Sequence, residues 1–321
     1  MKLNARHPSS TSGVGKHFIK LSDYSTDELM YLLNSALEMK NLQKRGIPHP
    51  YLNGKLLGMI FEKSSTRTRV SFEVGMKQLG GDAIFLNSKD IQLGRGETVE
   101  DTAKVLSRYV DGLMIRTFGH ETIERFAHHA TIPVINGLTD VHHPAQVLAD
   151  LLTIYEHKGK LAGLKLCYVG DGNNNICHSL LEGAVSVGID ITVASPAGYA
   201  PNEQIFQDVQ VKATAMNVNL FFTTSAHEAA HEADIIITDV WTSMGQEDET
   251  TQRLEAFAPY QVNAELCGQA KTDFLFLHCL PAHRGEEVTA DIIDGSHSVV
   301  FDEAENRVHA QKAILKMLLG N

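Results

Sequence analysis

The sequence predicts an α/β protein of two domains, each a mostly parallel sheet with helices on both faces. Short apolar runs alternate with helix-period patterns almost throughout, as in parallel sheets buried on both sides. A length of 321 residues suits two separate cores. Polar clusters recur at or just after the ends of the apolar runs, where open α/β sheets bind ligands.

In chain order, the first half offers the strands Leu56–Phe61, Ala83–Leu86, Gly112–Ile115 and Pro133–Ile135. The second half offers Lys165–Val169, Asp190–Ala194, Leu220–Thr223, Ile235–Thr238, Phe274–Leu277 and Ser298–Phe301. Between the halves, His143–His157 reads as a helix that buries Val147, Leu148, Leu151, Leu152 and Tyr155, with Pro144 suited to its first turn. This helix is the natural linker, dividing the domains at 1–150 and 151–302. The closing segment Arg307–Leu319 is helical, with Ile314, Leu315 and Leu318 to bury. Two sheets facing one another make a cleft, the usual place for a two-substrate site.

Composition narrows the function. Hydrophobic and charged fractions of 43% and 21% are ordinary for a globular chain. A net charge of −11 argues against a general nucleic-acid or acidic-membrane surface, while leaving room for a local basic pocket. No apolar run approaches the roughly 20 residues of a membrane span. The four cysteines, Cys167, Cys177, Cys267 and Cys279, form no CxxC pair or disulfide framework, which fits a reducing, cytoplasmic setting. Residues 1–15 carry Lys2, Arg6, several Ser and Thr and no acid, faintly like a transit peptide, and read as a disordered tail.

The segment Lys63–Glu73, KSSTRTRVSFE, is the richest in chemistry. It follows an apolar strand and opens a helix on which Val70 and Val74 share a face and Phe72, Met76 and Leu79 mark another stretch, stopped by Gly80-Gly81. Residues 65–68 therefore sit at a helix N-terminus, where free N–H groups and the helix dipole favour an anion. Ser65, Thr66 and Thr68 add hydroxyl donors, and Arg67 can fork onto phosphate oxygens. Simple capping is the alternative.

Other clusters add to a pocket for something anionic that carries a carbonyl. Gln92 and Arg95 lie in a Gly-rich loop, IQLGRGET. Arg116 follows the strand GLMI; His143 and Gln146, in HPAQ, open the linker helix, placed to donate to a carbonyl oxygen and to recognise an amide. YVGDGNNN at 168–175 is half of a dinucleotide fingerprint, with Asn175 where its third glycine belongs; amides contacting a polar substrate fit better. His227-Glu228-Ala229-Ala230-His231 matches the HExxH zinc pattern, but the helix is short and no third ligand is evident. In DVWTSMG, Asp239 stands at a strand end where it can pair with an ammonium group, and Ser243-Met244-Gly245 can close over it. In HCLPAHRGEEV, Cys279 reads either as a nucleophile near His278 or His283 or as a sulfur that positions an amine.

The assembled motifs SSTRTR, HPAQ, DVWTSMG and HCLPAHRGEEV resemble, in order and spacing, the ornithine branch of the carbamoyltransferase family, from about Lys16 to the C-terminus. STRT with HPxQ is similar to the whole family, and SMG with HCLP to the ornithine branch. The resemblance implies a carbamoyl-phosphate-binding domain at 1–150, a C-terminal helix at 303–321 packing back on it, and an ornithine-binding domain at 151–302. It implies carbamoyl-phosphate contacts at Ser65, Thr66, Arg67, Thr68, Gln92 (donated from a neighbouring subunit), Arg116, His143, Gln146, Cys279, Leu280 and Arg307. Asn175, Asp239, Ser243 and Met244 match ornithine ligands, and Arg116, His143, Asp239 and Cys279 carry the chemistry. Carbamoyl transfer to the side-chain amine of ornithine, a homotrimer with shared active sites, and no metal or organic cofactor are further expectations of the resemblance. The rivals are a carbamoyltransferase for putrescine, aspartate or an acylated ornithine, and a non-catalytic sensor of phosphorylated metabolites. Neither the anabolic or catabolic direction nor assembly beyond the trimer is written in the sequence.

Overall fold

The computed structural model describes residues 17–93, 96–243 and 245–320. The first part of the chain runs α1 (Thr26–Lys44), β1 (Leu56–Phe61), α2 (Thr66–Gln78), β2 (Asp82–Asn87), α3 (Val99–Leu106), β3 (Gly112–Arg116), α4 (His120–His129), β4 (Val134–Leu138) and α5 (Pro144–Lys158). There follow β5 (Lys165–Val169), α6 (Asn175–Ser186), β6 (Asp190–Ala194), α7 (Glu203–Met216), β7 (Leu220–Thr223), α8 (Ala226–Ala230) and β8 (Ile235–Thr238). The chain closes with α9 (Thr250–Phe257), α10 (Ala264–Cys267), β9 (Leu275–His278), α11 (Ala290–Ile293) and α12 (Val300–Leu319). It divides into two compact units: residues up to Ala145 together with Arg307 onward, and Gln146–Asn306. The chain passes between them once within α5 and once within α12.

Each unit is built around one wholly parallel sheet. The first has strand order β2-β1-β3-β4 and the second β7-β6-β5-β8-β9. Strands β1, β3 and β4 are buried almost end to end, as the continuous apolar runs require when helices cover both faces. In the first unit Ile60, Leu113 and Ile115 pack with Ile123, Phe126 and Val134. In the second, Val169 and Ile236 pack with Trp241, Phe257 and Phe276.

Strand order decides where each unit binds. In the first, successive crossovers leave β1 in opposite directions, so β1 and β3 flank the switch point; in the second, β5 and β8 do. A crevice opens beyond the carboxyl ends of such a pair. The segments placed there are 62–68 and 116–117 in one unit, and 170–175 and 239 in the other.

One sequence expectation needs correction. Ser298–Phe301 is not a strand: Ser298 makes one isolated bridge to Phe276, and from Val300 the backbone is already helical. The run SVVF is too short for its period to separate strand from helix start, and Phe301 is left 72% exposed on the outer side of α12. On α2 the core face is Phe72 and Met76, with Leu79 just beyond, whereas Val70 and Val74 are exposed. Helix α1 has no counterpart among the sequence expectations, although Ser25 and Glu28 form a capping box ahead of Leu29, Leu32, Leu33, Ala36 and Met39.

Candidate active site

In the first unit the end of β1 is tied to the end of β3 by Glu62 N–H, which donates to the Arg116 carbonyl at 2.8 Å. Ser65 then caps α2: its Oγ accepts from Thr68 N–H at 3.2 Å and donates to Thr68 Oγ1 at 3.1 Å. Thr68 is buried, and Arg307 Nη2, on α12, donates to its hydroxyl at 2.8 Å. Thr66 and Arg67 face outward from the first turn. Lys63, buried one residue before the Ser pair, bonds Asp140 and lies 4.3 Å from the centre of the Phe118 ring. It braces the entry to α2 against the loop that leads to His143.

His143 is buried just ahead of α5. Burial, and then the charges of Arg307, Arg116 and Arg67, hold its imidazole well below the ordinary range. It is therefore a neutral ring with one N–H to donate. Three guanidinium groups acting on one imidazole, beside a helix N-terminus, make a site for a multiply charged anion. Gln92 is exposed and lines a surface hollow with Gly96, Glu97 and Asp101. Arg95 lies outside the described residues.

In the second unit Asp239 follows β8 and is buried. Its Oδ1 accepts from Val240 N–H at 2.8 Å and from the Cys279 thiol at 3.1 Å, and its Oδ2 from Asn174 Nδ2 at 3.0 Å. Asn174 also caps α6, accepting from the Ile176 and Cys177 N–H groups at 2.7 and 3.1 Å. This places Asn175 as the first residue of α6, half-buried beside Asp239's partner. The Cys279 thiol is enclosed although part of the residue reaches the surface; burial, and next the Asp239 charge, push its pKa well above the ordinary thiol range. A thiolate nucleophile is thereby disfavoured, and a neutral S–H donor remains.

The Cys279 loop is held from several sides. His278 Nδ1 accepts from Leu280 N–H at 2.9 Å, and His278 N–H donates to Glu303 Oε2 at 2.9 Å. Leu280 has a φ of 55°, a left-handed conformation that a branched side chain adopts only where its surroundings enforce it. Gln146 belongs to this unit, its Nε2 donating to Asp150 Oδ1 at 2.8 Å and Glu303 Oε1 at 2.9 Å. Beyond Asp239, Ser243 N–H donates to Gln246 Oε1 at 3.0 Å; Met244 lies outside the described residues. Arg253 ties this loop to the β5 turn, donating to Asp171 Oδ2 at 2.7 Å and the Trp241 carbonyl at 3.0 Å.

The weaker motifs lose ground. A Cβ on Gly172 meets Ser195 Oγ at 2.7 Å and the Tyr199 carbonyl at 2.8 Å, so that glycine serves loop packing. Asn174 already fills the α6 N-terminus where a pyrophosphate must sit. Helix α8 ends at Ala230, leaving His231 outside it, and His227 lies 3.6 Å from Glu265. The one-turn spacing that HExxH needs is absent. Residues that sequence reasoning missed are Asn174, Lys63, Arg253 and Glu303. Asn174 had a signal, an Asn two residues before the apolar run ICHSLL; the others act through contacts distant in sequence.

Comparison with known proteins agrees with this geometry. Residues 16–156 match the family described as aspartate/ornithine carbamoyltransferase, carbamoyl-P binding domain. Residues 162–318 match aspartate/ornithine carbamoyltransferase, Asp/Orn binding domain. The chain is 57% identical over 306 residues to the ornithine carbamoyltransferase of Carboxydothermus hydrogenoformans, covering 95% of this chain and 98% of that one. It is 59% identical over 305 residues to that of Anoxybacillus flavithermus, covering 95% and 97%. Among solved structures, ornithine carbamoyltransferase from Pyrococcus furiosus superposes with a TM-score of 0.93 at 51% identity, covering 97% of this chain and 99% of that one. The anabolic enzyme of Campylobacter jejuni gives 0.88 at 40% identity, covering 94% and 98%.

Proposed function

This chain belongs to the aspartate/ornithine carbamoyltransferase family, and from that premise we propose how its residues move the carbamoyl group of carbamoyl phosphate to the side-chain amine of ornithine, giving citrulline and phosphate. Carbamoyl phosphate binds first, its phosphate on Ser65, Thr66, Arg67, Thr68 and Arg116, with Arg307 acting on it beside Thr68. Gln92 completes the same grip from a neighbouring subunit. Thr68, Arg116 and neutral His143 polarise the carbonyl oxygen as it gains negative charge. The Gln146 amide and the Cys279–Leu280 backbone orient the carbamoyl amide.

Asn175, Asp239, Ser243 and Met244 hold the α-amino and carboxylate groups of ornithine. The side-chain amine attacks only after losing a proton, since an ammonium has no lone pair. Asp239 and the neutral Cys279 thiol stabilise the free amine, and the departing phosphate accepts the proton released on attack. Amine and carbonyl carbon must come within about 3–3.5 Å of each other for the transfer. The ornithine assignment is carried by likeness to ornithine enzymes over 95% of the chain. The hydrogen-bond partners of Asp239 among the described residues are an amide, a backbone N–H and a thiol, with no arginine or lysine, which also suits an ammonium better than a second carboxylate.

We further assign a homotrimer and a cytoplasmic location. Exposed Val70, Val74 and Ile84, on α2 and edge strand β2, supply apolar surface for a subunit contact. All four cysteines are free, and among the described residues no helix is long and apolar enough to cross a membrane. The deciding assay follows carbamoyl transfer to ornithine, putrescine and aspartate in parallel, without added metal. Turnover with ornithine alone is expected; turnover with another amine overturns the acceptor half, and none at all overturns the whole.

A further inference from the structure

The segment just beyond the Cys279 loop has no role in the transfer reaction described above. There His283 Nδ1, a Glu286 carboxylate oxygen and a Glu287 carboxylate oxygen lie within 4.8 Å of one another. We propose that these three atoms form a binding site for one divalent ion of the zinc class, with its fourth position open to water.

Glu287 is the strongest reason. It is completely buried, and its Oε1 accepts from His278 Nε2 at 3.1 Å and from His283 N–H at 2.6 Å. Its Oε2 is buried with no hydrogen-bond donor among the described residues. That atom lies 3.6 Å from His283 Nδ1, too far for a hydrogen bond. A carboxylate oxygen buried without a donor is costly, and a cation placed between it and the ring nitrogen removes the cost.

The spacing suits a tetrahedral ion. Bonds of about 2.0–2.2 Å to nitrogen and oxygen set neighbouring ligand atoms about 3.3–3.6 Å apart. The observed separations from His283 Nδ1 are 3.6 Å to Glu287 Oε2 and 3.9 Å to Glu286 Oε2. The half-exposed Glu286 and His283 side chains need move little to close that frame, and they leave a path for the ion. Glu287, already fixed by two hydrogen bonds, is the oriented ligand such sites require. One imidazole and two carboxylates match zinc in preference to a soft thiophilic ion.

The test uses the full chain, stripped of metal. Zinc is titrated by calorimetry, and cobalt(II) is followed in its visible spectrum. One ion per chain is expected, with ligand-field bands and no thiolate charge-transfer band. His283→Asn and Glu286→Gln are each expected to weaken binding about 10-fold or more, while Cys279→Ser leaves it unchanged. Both exposed side chains can be replaced without disturbing the core, and an unaltered Tm verifies this. Absence of binding, or binding that survives both substitutions, overturns the site. So does a thiolate band lost in Cys279→Ser, which places the ion on the nearby Asp239, His278 and Cys279 instead.

Discussion

His143 and Cys279 are both kept neutral by burial, which lowers the pKa of an imidazole and raises that of a thiol. Alkylation of Cys279 by iodoacetamide, followed by mass spectrometry, should therefore be slow at pH 7 and accelerate only above the ordinary thiol range. Rapid labelling at neutral pH contradicts its role as a neutral donor. Because His143 stays unprotonated well below 6.5, the pH profile of kcat/KM for ornithine should show no break there. It should instead climb tenfold per pH unit toward the amine's own pKa, about 10.4 for a lysine-like group. Arg116 is buried and acts where charge develops, so Arg116→Lys, with its point charge, should lower kcat by roughly 10²–10³-fold with little change in Tm. These residues were legible as a cluster in the sequence, because their motifs follow strand ends. Burial sets their protonation first; the charges that reinforce it most, Arg307 and Asp239, are distant in sequence, and no local pattern announces them.

Among the elements, α6 joins stability to substrate contact most directly. Asn174 caps the helix and also holds Asp239. Asn174→Ala should cost about 1 kcal/mol of stability, a typical loss for an N-cap. It should also raise KM for ornithine while leaving KM for carbamoyl phosphate unchanged; a rise in both contradicts the division of labour between the units. The sequence located β1, β5, β6, β7 and β8 with their ends, since each is a short, mostly apolar run between polar turns. It misplaced the segment before α12, where two buried valines serve equally as strand or as helix start. It passed over α1, whose apolar positions are spread along 19 residues and carry little contrast in any short window.

Across the whole molecule, division into two units predicts separable responses to the two substrates. Carbamoyl phosphate alone should slow amide exchange at the start of α2 and near Arg307, leaving the α6 N-terminus unaffected. Stability should depend on pH through His309, whose pKa falls to about 3, chiefly by burial and then by the charges of Lys312, Lys40, Lys44 and His49. A depressed folded-state value means that the unfolded chain takes up the proton first. Stability is thus full above about 6.5 and declines as pH falls toward 3. His309→Asn should flatten that decline between pH 6.5 and 5 in urea titrations; an unchanged slope contradicts it.

The passage of the chain through α12 also sets an order of manufacture. Residues 146–306 form one unbroken stretch, whereas the other unit is complete only once Arg307 and the rest of α12 have been added. A ribosome releases the chain from its N-terminal end. The unit that opens the polypeptide therefore waits through the making of its neighbour, with Thr68 still lacking the guanidinium that contacts it. The half assigned to receive the first substrate is the last to be finished.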